Sequence, residues 1–139
     1  TLATSFTDEG SIVLNGITIA CLALAGGIHL LPLPGVLGAG QLARLYGVAA
    51  DDSNAVILLQ HRAVLFGLLG VLLIAAAFRP ELRAVALVAG LVSTVSFLVI
   101  AWGVGGYNAQ VARVVVADLL VVVVLLVAAG IEWHKSAVA

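Results

Sequence analysis

The stretch Val111–Ile131, VARVVVADLLVVVVLLVAAGI, decides how this chain is read. Its nine valines in 21 residues would suit a buried strand by propensity alone. Length argues for a helix instead. Twenty-one helical residues extend about 32 Å, enough to cross the hydrocarbon core of a bilayer. In lipid an isolated strand leaves its backbone N–H and C=O groups unsatisfied, whereas a helix satisfies its own. Three more runs of the same kind precede it: Ile12–Leu33 (IVLNGITIACLALAGGIHLLPL), Val56–Phe78 (VILLQHRAVLFGLLGVLLIAAAF) and Leu82–Trp102 (LRAVALVAGLVSTVSFLVIAW). The expected fold is all-α: one polytopic membrane four-helix bundle over residues 1–139, with spans near 12–33, 56–78, 82–102 and 111–131.

Composition agrees. Only 9% of the 139 residues are charged and 63% are hydrophobic, against about 25% charged in ordinary soluble domains. Mean hydropathy is +1.26 for a chain of 14.1 kDa. A soluble globule of that size buries about two thirds of its surface and could not hide so much apolar area. Six basic residues scattered along the chain make no nucleic-acid footprint. Cys21 stands alone, so no intrachain disulfide is expected. The first run does not read as a removable signal peptide, because Asp8 and Glu9 precede it in place of a basic region. The chain begins at Thr1, without methionine.

The connections differ in length. Residues 34–55 leave room for a short interfacial or re-entrant helix over Gln41–Tyr46. Arg79-Pro80-Glu81 is a tight turn with Pro80 placed to start the third long helix. Residues 103–110 are glycine-rich, and the tail EWHKSAVA places Trp133 and Lys135 near headgroups. Four spans put both termini on one side of the membrane. Arg79, Arg83 and Lys135 on that side outnumber Arg44 and Arg113 on the other, so a multi-pass protein of the cell membrane with cytoplasmic termini is expected.

Sorting the charges by depth locates a candidate site. Of 13 charged residues only Arg62 and Asp118 fall well inside spans, each about seven residues from the start of its run. That is roughly 10 Å deep by helical rise. An ion pair is expected, because either charge alone in hydrocarbon costs several kcal/mol. His61 and His29 lie on the same side, with Arg44, Tyr46, Asp51, Asp52, Tyr107, Asn108, Gln110 and Arg113. The opposite half reads as Leu, Val, Ile, Ala and Gly. This asymmetry points to a polar cavity open to one face. Gln60, His61 and Arg62 fan through about 200° on a helix, so with Arg62 turned toward Asp118, His61 looks along an adjacent seam.

Such a cavity suits a membrane-embedded enzyme or binding protein for a small hydrophobic molecule. Asp118, with Arg62 beside it, would act as base and His61 or Tyr46 as proton donor, while His29, Arg44, Asn108 and Arg113 contact the ligand. Hydrolysis of an epoxide or ester and isomerisation of a double bond both fit. Two alternatives use the same residues. In one, the Arg62–Asp118 pair only fixes the bundle. In the other, the chain is a small transporter or a proton- or redox-linked protein, working as a homo-oligomer with a polar path through Ser93, Thr94 and Ser96. His29, His61 and Asp118 could be imagined around a metal, or the histidines around a haem, but no spacing motif supports either. No metal and no cofactor is expected. Gly26, Gly27, Gly67, Gly70, Gly90 and Gly130 are the positions where helices should approach closely.

Three segments, GGIHLLPLPG at 26–35, RLYGV at 44–48 and LLQHRAVLFGLLG at 58–70, resemble the small four-helix bacterial membrane proteins of the DoxX-like group and related uncharacterised families. The resemblance extends over most of the chain. It implies a four-helix membrane fold and redox or quinone-linked roles, without assigning residues to them. The lone Cys21 offers no thiol pair for such chemistry.

Overall fold

The computed structural model describes residues 2–47 and 52–138, with side chains over 9–47 and 52–137. Asp51 lies outside the described residues. Five helices follow one another: α1 (Leu2–Leu30), α2 (Ala39–Tyr46), α3 (Ser53–Phe78), α4 (Arg83–Val104) and α5 (Ala109–Val138). Short 3-10 turns at Leu33–Leu37 and Pro80–Leu82 lead into α2 and α4. Pro80 therefore opens a turn ahead of the third long helix, not that helix itself. Among the described residues there is no strand, and the valine run is helical throughout.

Local chemistry sets several boundaries. The Asp52 carboxylate accepts the Asn54 N–H at 2.9 Å and caps α3. Asn108 Oδ1 accepts the Val111 N–H at 2.9 Å at the start of α5. Gly47 ends α2 at φ +64°, a left-handed conformation that glycine adopts without a Cβ penalty.

Four helices are long and apolar enough to cross a membrane, and only 22–28% of each apolar stretch is buried within the chain. Ile12, Leu58, Leu68 and Val92 are among the side chains turned outward. A bilayer is the solvent in which that surface is stable. The chain is an all-α, multi-pass membrane bundle.

Around the bundle α1 packs on α3 and α5, and α4 packs on the same two helices. This leaves α1 opposite α4 and α3 opposite α5. The tightest approach is between α1 and α3. A Cβ on Gly26 would lie 2.8 Å from the Gly70 carbonyl oxygen, and one on Gly70 would lie 2.9 Å from that of Gly26. Gly67 and Gly90 are likewise closed, by Leu33 and Leu125. Gly27 and Gly130 have nothing within 4 Å, so the close approach expected there does not occur inside the chain. Leu22, Leu73, Val121 and Leu125 fill the centre and are fully buried.

The end of the bundle that carries the termini is not the purely apolar half expected. Arg83, counted above as an end charge, is only 5% exposed. Its Nε and Nη2 donate to the Ala76 and Ala77 carbonyls at 3.3 Å, satisfying acceptors in the last turn of α3. Its Nη1 meets Glu132 Oε1 at 3.1 Å, and Lys135 Nζ meets the same oxygen at 2.8 Å. Thr18 Oγ1 lies 3.2 Å from both Glu132 Oε1 and Leu14 O, so its single proton is shared between them. One cluster thus joins α1, α3, α4 and α5.

Two substitution pairs test this packing by thermal unfolding in detergent. Gly26→Ala should cost about 1–3 kcal/mol through overpacking, whereas Gly27→Ala should be close to neutral. Glu132→Ala should cost about 2 kcal/mol, because it leaves the Arg83 guanidinium facing no anion in a largely buried setting. Arg79→Ala, at an exposed position, should cost almost nothing.

Candidate functional site

At the other end, the Leu33–Leu37 turn and α2 fold back over the bundle. A cavity of about 290 Å³ opens there, lined by residues of α1, α2, α3, α5 and the α1–α2 connection. Ile28, Leu31, Pro32, Phe66, Val114 and Ala117 supply apolar wall; Arg44, Gln110 and Arg113 supply polar rim. Three buried side chains complete it: His29, Tyr46 and Asp118.

Helical periodicity brings two of these inward. Thr18, Leu22, Ala25 and His29 form the buried stripe of α1, and Asp118, Val121, Leu125 and Ala128 that of α5. His29 is 1% exposed, and its Nδ1 lies 2.8 Å from the Ala25 carbonyl oxygen. A carbonyl only accepts, so Nδ1 carries the proton and Nε2 presents a lone pair. The ring stacks on Phe66 with centroids 5.4 Å apart. Tyr46 ends α2, and its main-chain oxygen accepts from Asn108 Nδ2 at 2.8 Å. Burial pushes the Tyr46 phenol above its ordinary value of 10.0; the positive charge of Arg62 opposes this rise and Asp118 adds to it. The phenol is accordingly a proton donor across the neutral range.

His29 Nε2, Tyr46 OH and Asp118 Oδ2 share one property: all are buried and none has a hydrogen-bond partner. A buried polar atom left unmade costs about 1–3 kcal/mol. Three such atoms from three elements therefore hold stability in reserve around one space.

Arg62 stands elsewhere than expected. Its guanidinium carbon lies 4.8 Å from the Phe66 ring centre, 5.0 Å from Phe97 and 5.3 Å from Tyr46. It makes no ion pair with Asp118; the ion pairs among the described residues are those of Glu132. Matched depth did not make the two neighbours, because α3 and α5 face each other across a diagonal. The cation is held instead on the negative faces of three rings, behind the wall that Tyr46 and Phe66 present to the cavity.

His61 is exposed and does not line the cavity, so a role for it as proton donor there is corrected. Asn108, expected to contact ligand, uses its amide to tie the start of α5 to the end of α2 and also stands outside the cavity. Gln60 donates to the Val36 carbonyl at 2.9 Å and anchors the folded-back turn. The predicted residues brought together are His29, Arg44, Tyr46, Arg113 and Asp118. Phe66 and Phe97 were missed, although Phe66 sits one turn beyond Arg62, a spacing at which side chains meet.

A second cavity, about 430 Å³ between α4 and α5, is lined by Leu98, Trp102, Tyr107 and Leu119 and contains none of the unpartnered buried atoms. Thr94 and Ser96 bond to Gly90 and Ser93 carbonyls of their own helix, so they do not extend a polar path inward. Among the described residues no three His, Cys, Asp or Glu side chains converge as metal ligands. Compared with protein-family models, curated proteins and solved structures, the chain matches none of them.

Because Asp118 has no partner, replacing it with an apolar group of similar volume relieves a cost. Asp118→Val is expected to hold or raise the unfolding temperature, by about 1–2 kcal/mol in stability. A loss of about 3 kcal/mol or more, the signature of a broken buried pair, would contradict this geometry.

Proposed function

We propose that the protein is an intramembrane binding protein or enzyme for a small, largely hydrophobic molecule, taken into the cavity from one membrane face. The observation that carries this reading is a cavity lined by three buried polar side chains from three elements, His29, Tyr46 and Asp118, each with a polar atom that has no partner within the chain. A fold under selection for stability alone would pair or replace such atoms. The cavity is at the small end of ligand sites, which begin near about 300 Å³. Its apolar walls favour the body of the ligand, and its three polar atoms fix the orientation.

The same atoms suit acid–base work of the isomerase type. His29 Nε2 or Asp118 takes a proton from carbon next to a carbonyl, Tyr46 donates a hydrogen bond to the carbonyl oxygen, and the proton returns at another carbon. Hydrolysis would use the same base on a water molecule. Arg62 acts on this site as a positioning residue, through the rings of Tyr46 and Phe66. Against the alternative of a bundle fixed by an Arg62–Asp118 pair stands the absence of an ion pair between the two; the structural contacts of Arg62 are with rings instead. A path through a single chain is disfavoured by the apolar centre at Leu22, Leu73 and Leu125. Kinship with the DoxX-like group belongs with this reading as a proposal, as do a place in the cell membrane and cytoplasmic termini.

Native mass spectrometry of the protein released from lipid nanodiscs tests the reading. Wild type is expected to carry a small-molecule adduct that His29→Leu has lost, with both proteins equally helical by circular dichroism. Absence of any adduct from wild type, or an adduct retained in full by His29→Leu, would count against a ligand site here.

A further inference from the structure

The order of charge along the cavity restricts its ligand further. Arg44 and Arg113 stand exposed at the rim, and neither forms an ion pair among the described residues. Inside, the unpartnered atoms of His29 and Asp118 are acceptors: a lone pair fixed by the Ala25 bond and a carboxylate-type oxygen. Both residues are more than nine-tenths buried. Cationic donors thus mark the entrance, and acceptors mark the depth. Arg113 precedes Asp118 by five residues on one helix, about 7.5 Å of axial rise, and an arginine extended toward the surface lengthens the span.

We propose that the ligand has two polar ends: an anionic oxygen group, carboxylate or phosphate, held at the rim by Arg44 and Arg113, and a hydroxyl or amine donor reaching His29 and Asp118. Its apolar middle lies along the cavity wall. This inference rests on the ligand-site reading above and adds the polarity of the molecule. The reverse orientation would bring an anion against the Asp118 carboxyl and leave two guanidiniums without a partner. A simple fatty acid satisfies the rim but not the depth, and a neutral diol the depth but not the rim.

Isothermal titration into nanodiscs of zwitterionic lipid, with empty nanodiscs subtracted, distinguishes these. The probes are 8-hydroxyoctanoate, 8-hydroxyoctyl phosphate, octanoate and 1,8-octanediol. At least one of the two hydroxylated anions is expected to bind about tenfold more tightly than either single-ended probe, the size of one charge-assisted contact. Comparing carboxylate with phosphate then identifies the anionic group. Arg44→Gln and Arg113→Gln should each erase the advantage over the diol, whereas Arg79→Gln, a surface cation at the opposite end, should not. Asp118→Asn should weaken the hydroxylated probes and leave octanoate unchanged. Equal binding of diol and hydroxylated anions, still dependent on Asp118, would overturn the two-ended ligand while retaining the site. So would a loss of diol affinity in the arginine variants equal to the loss for the anions. Failure of every probe to bind, with the wild-type adduct still dependent on His29, would overturn the two-ended ligand and retain the site; failure of the probes with no such adduct would overturn both readings.

Discussion

A polar group inside hydrocarbon has no water to turn to, and every such group in this chain must find a partner within the protein or remain at a cost. The bundle meets that constraint oppositely at its two ends. Near the termini, Arg83 is surrounded by acceptors: two carbonyls at the end of α3 and the Glu132 carboxylate, which also receives Lys135 and Thr18. At the other end, His29, Tyr46 and Asp118 line a cavity, each with a buried polar atom that has no partner within the chain. The first arrangement joins the four long helices. The second leaves three polar side chains unpaired within the chain, and the proposed ligand site rests on them.

The same contrast runs along single helices. The buried stripe of α1 begins with Thr18 and ends with His29, and between them lie Leu22 and Ala25. On α5 the stripe opens at Asp118, passes through Val121, Leu125 and Ala128, and reaches Glu132 four residues later. Each inward face is polar at both ends and apolar in the middle. The apolar middle separates the structural cluster from the cavity, so the cavity is a pocket with a floor and not a passage. Close glycine contacts between α1 and α3 permit this narrow centre, since Gly26 and Gly70 let the two backbones meet directly.

Arg62 shows how such a fold can keep a charge without an ion pair. Phe66 comes from its own helix, Phe97 from α4 and Tyr46 from the folded-back α2. The cation orders three elements through ring faces while leaving Asp118 free of a close guanidinium. Had the two paired, the carboxyl would have been spent on the fold. Separation by the bundle diagonal leaves it without an ion pair.

Much of this was legible before any coordinates. Length, hydropathy and the backbone rule for lipid were enough for four membrane helices, and depth was enough to single out Asp118. The sparse intramembrane charges marked the end of the bundle that holds the cavity, and Tyr46, Arg44 and Arg113 followed from their place beside it. Partners were not legible, because pairing depends on which helices become neighbours. Depth along the membrane is a one-dimensional quantity read from residue number. Adjacency around the bundle is set by packing at sites such as Gly26–Gly70. Equal depth therefore suggested an Arg62–Asp118 pair that does not form across the diagonal of α3 and α5, where Arg62 turns to aromatic rings instead, and Arg83 and Glu132, far apart in sequence, became the pair that closes the fold. Chain chemistry alone settled the solvent and the helices; the arrangement of those helices settled which faces turn inward and which polar groups are satisfied within the chain.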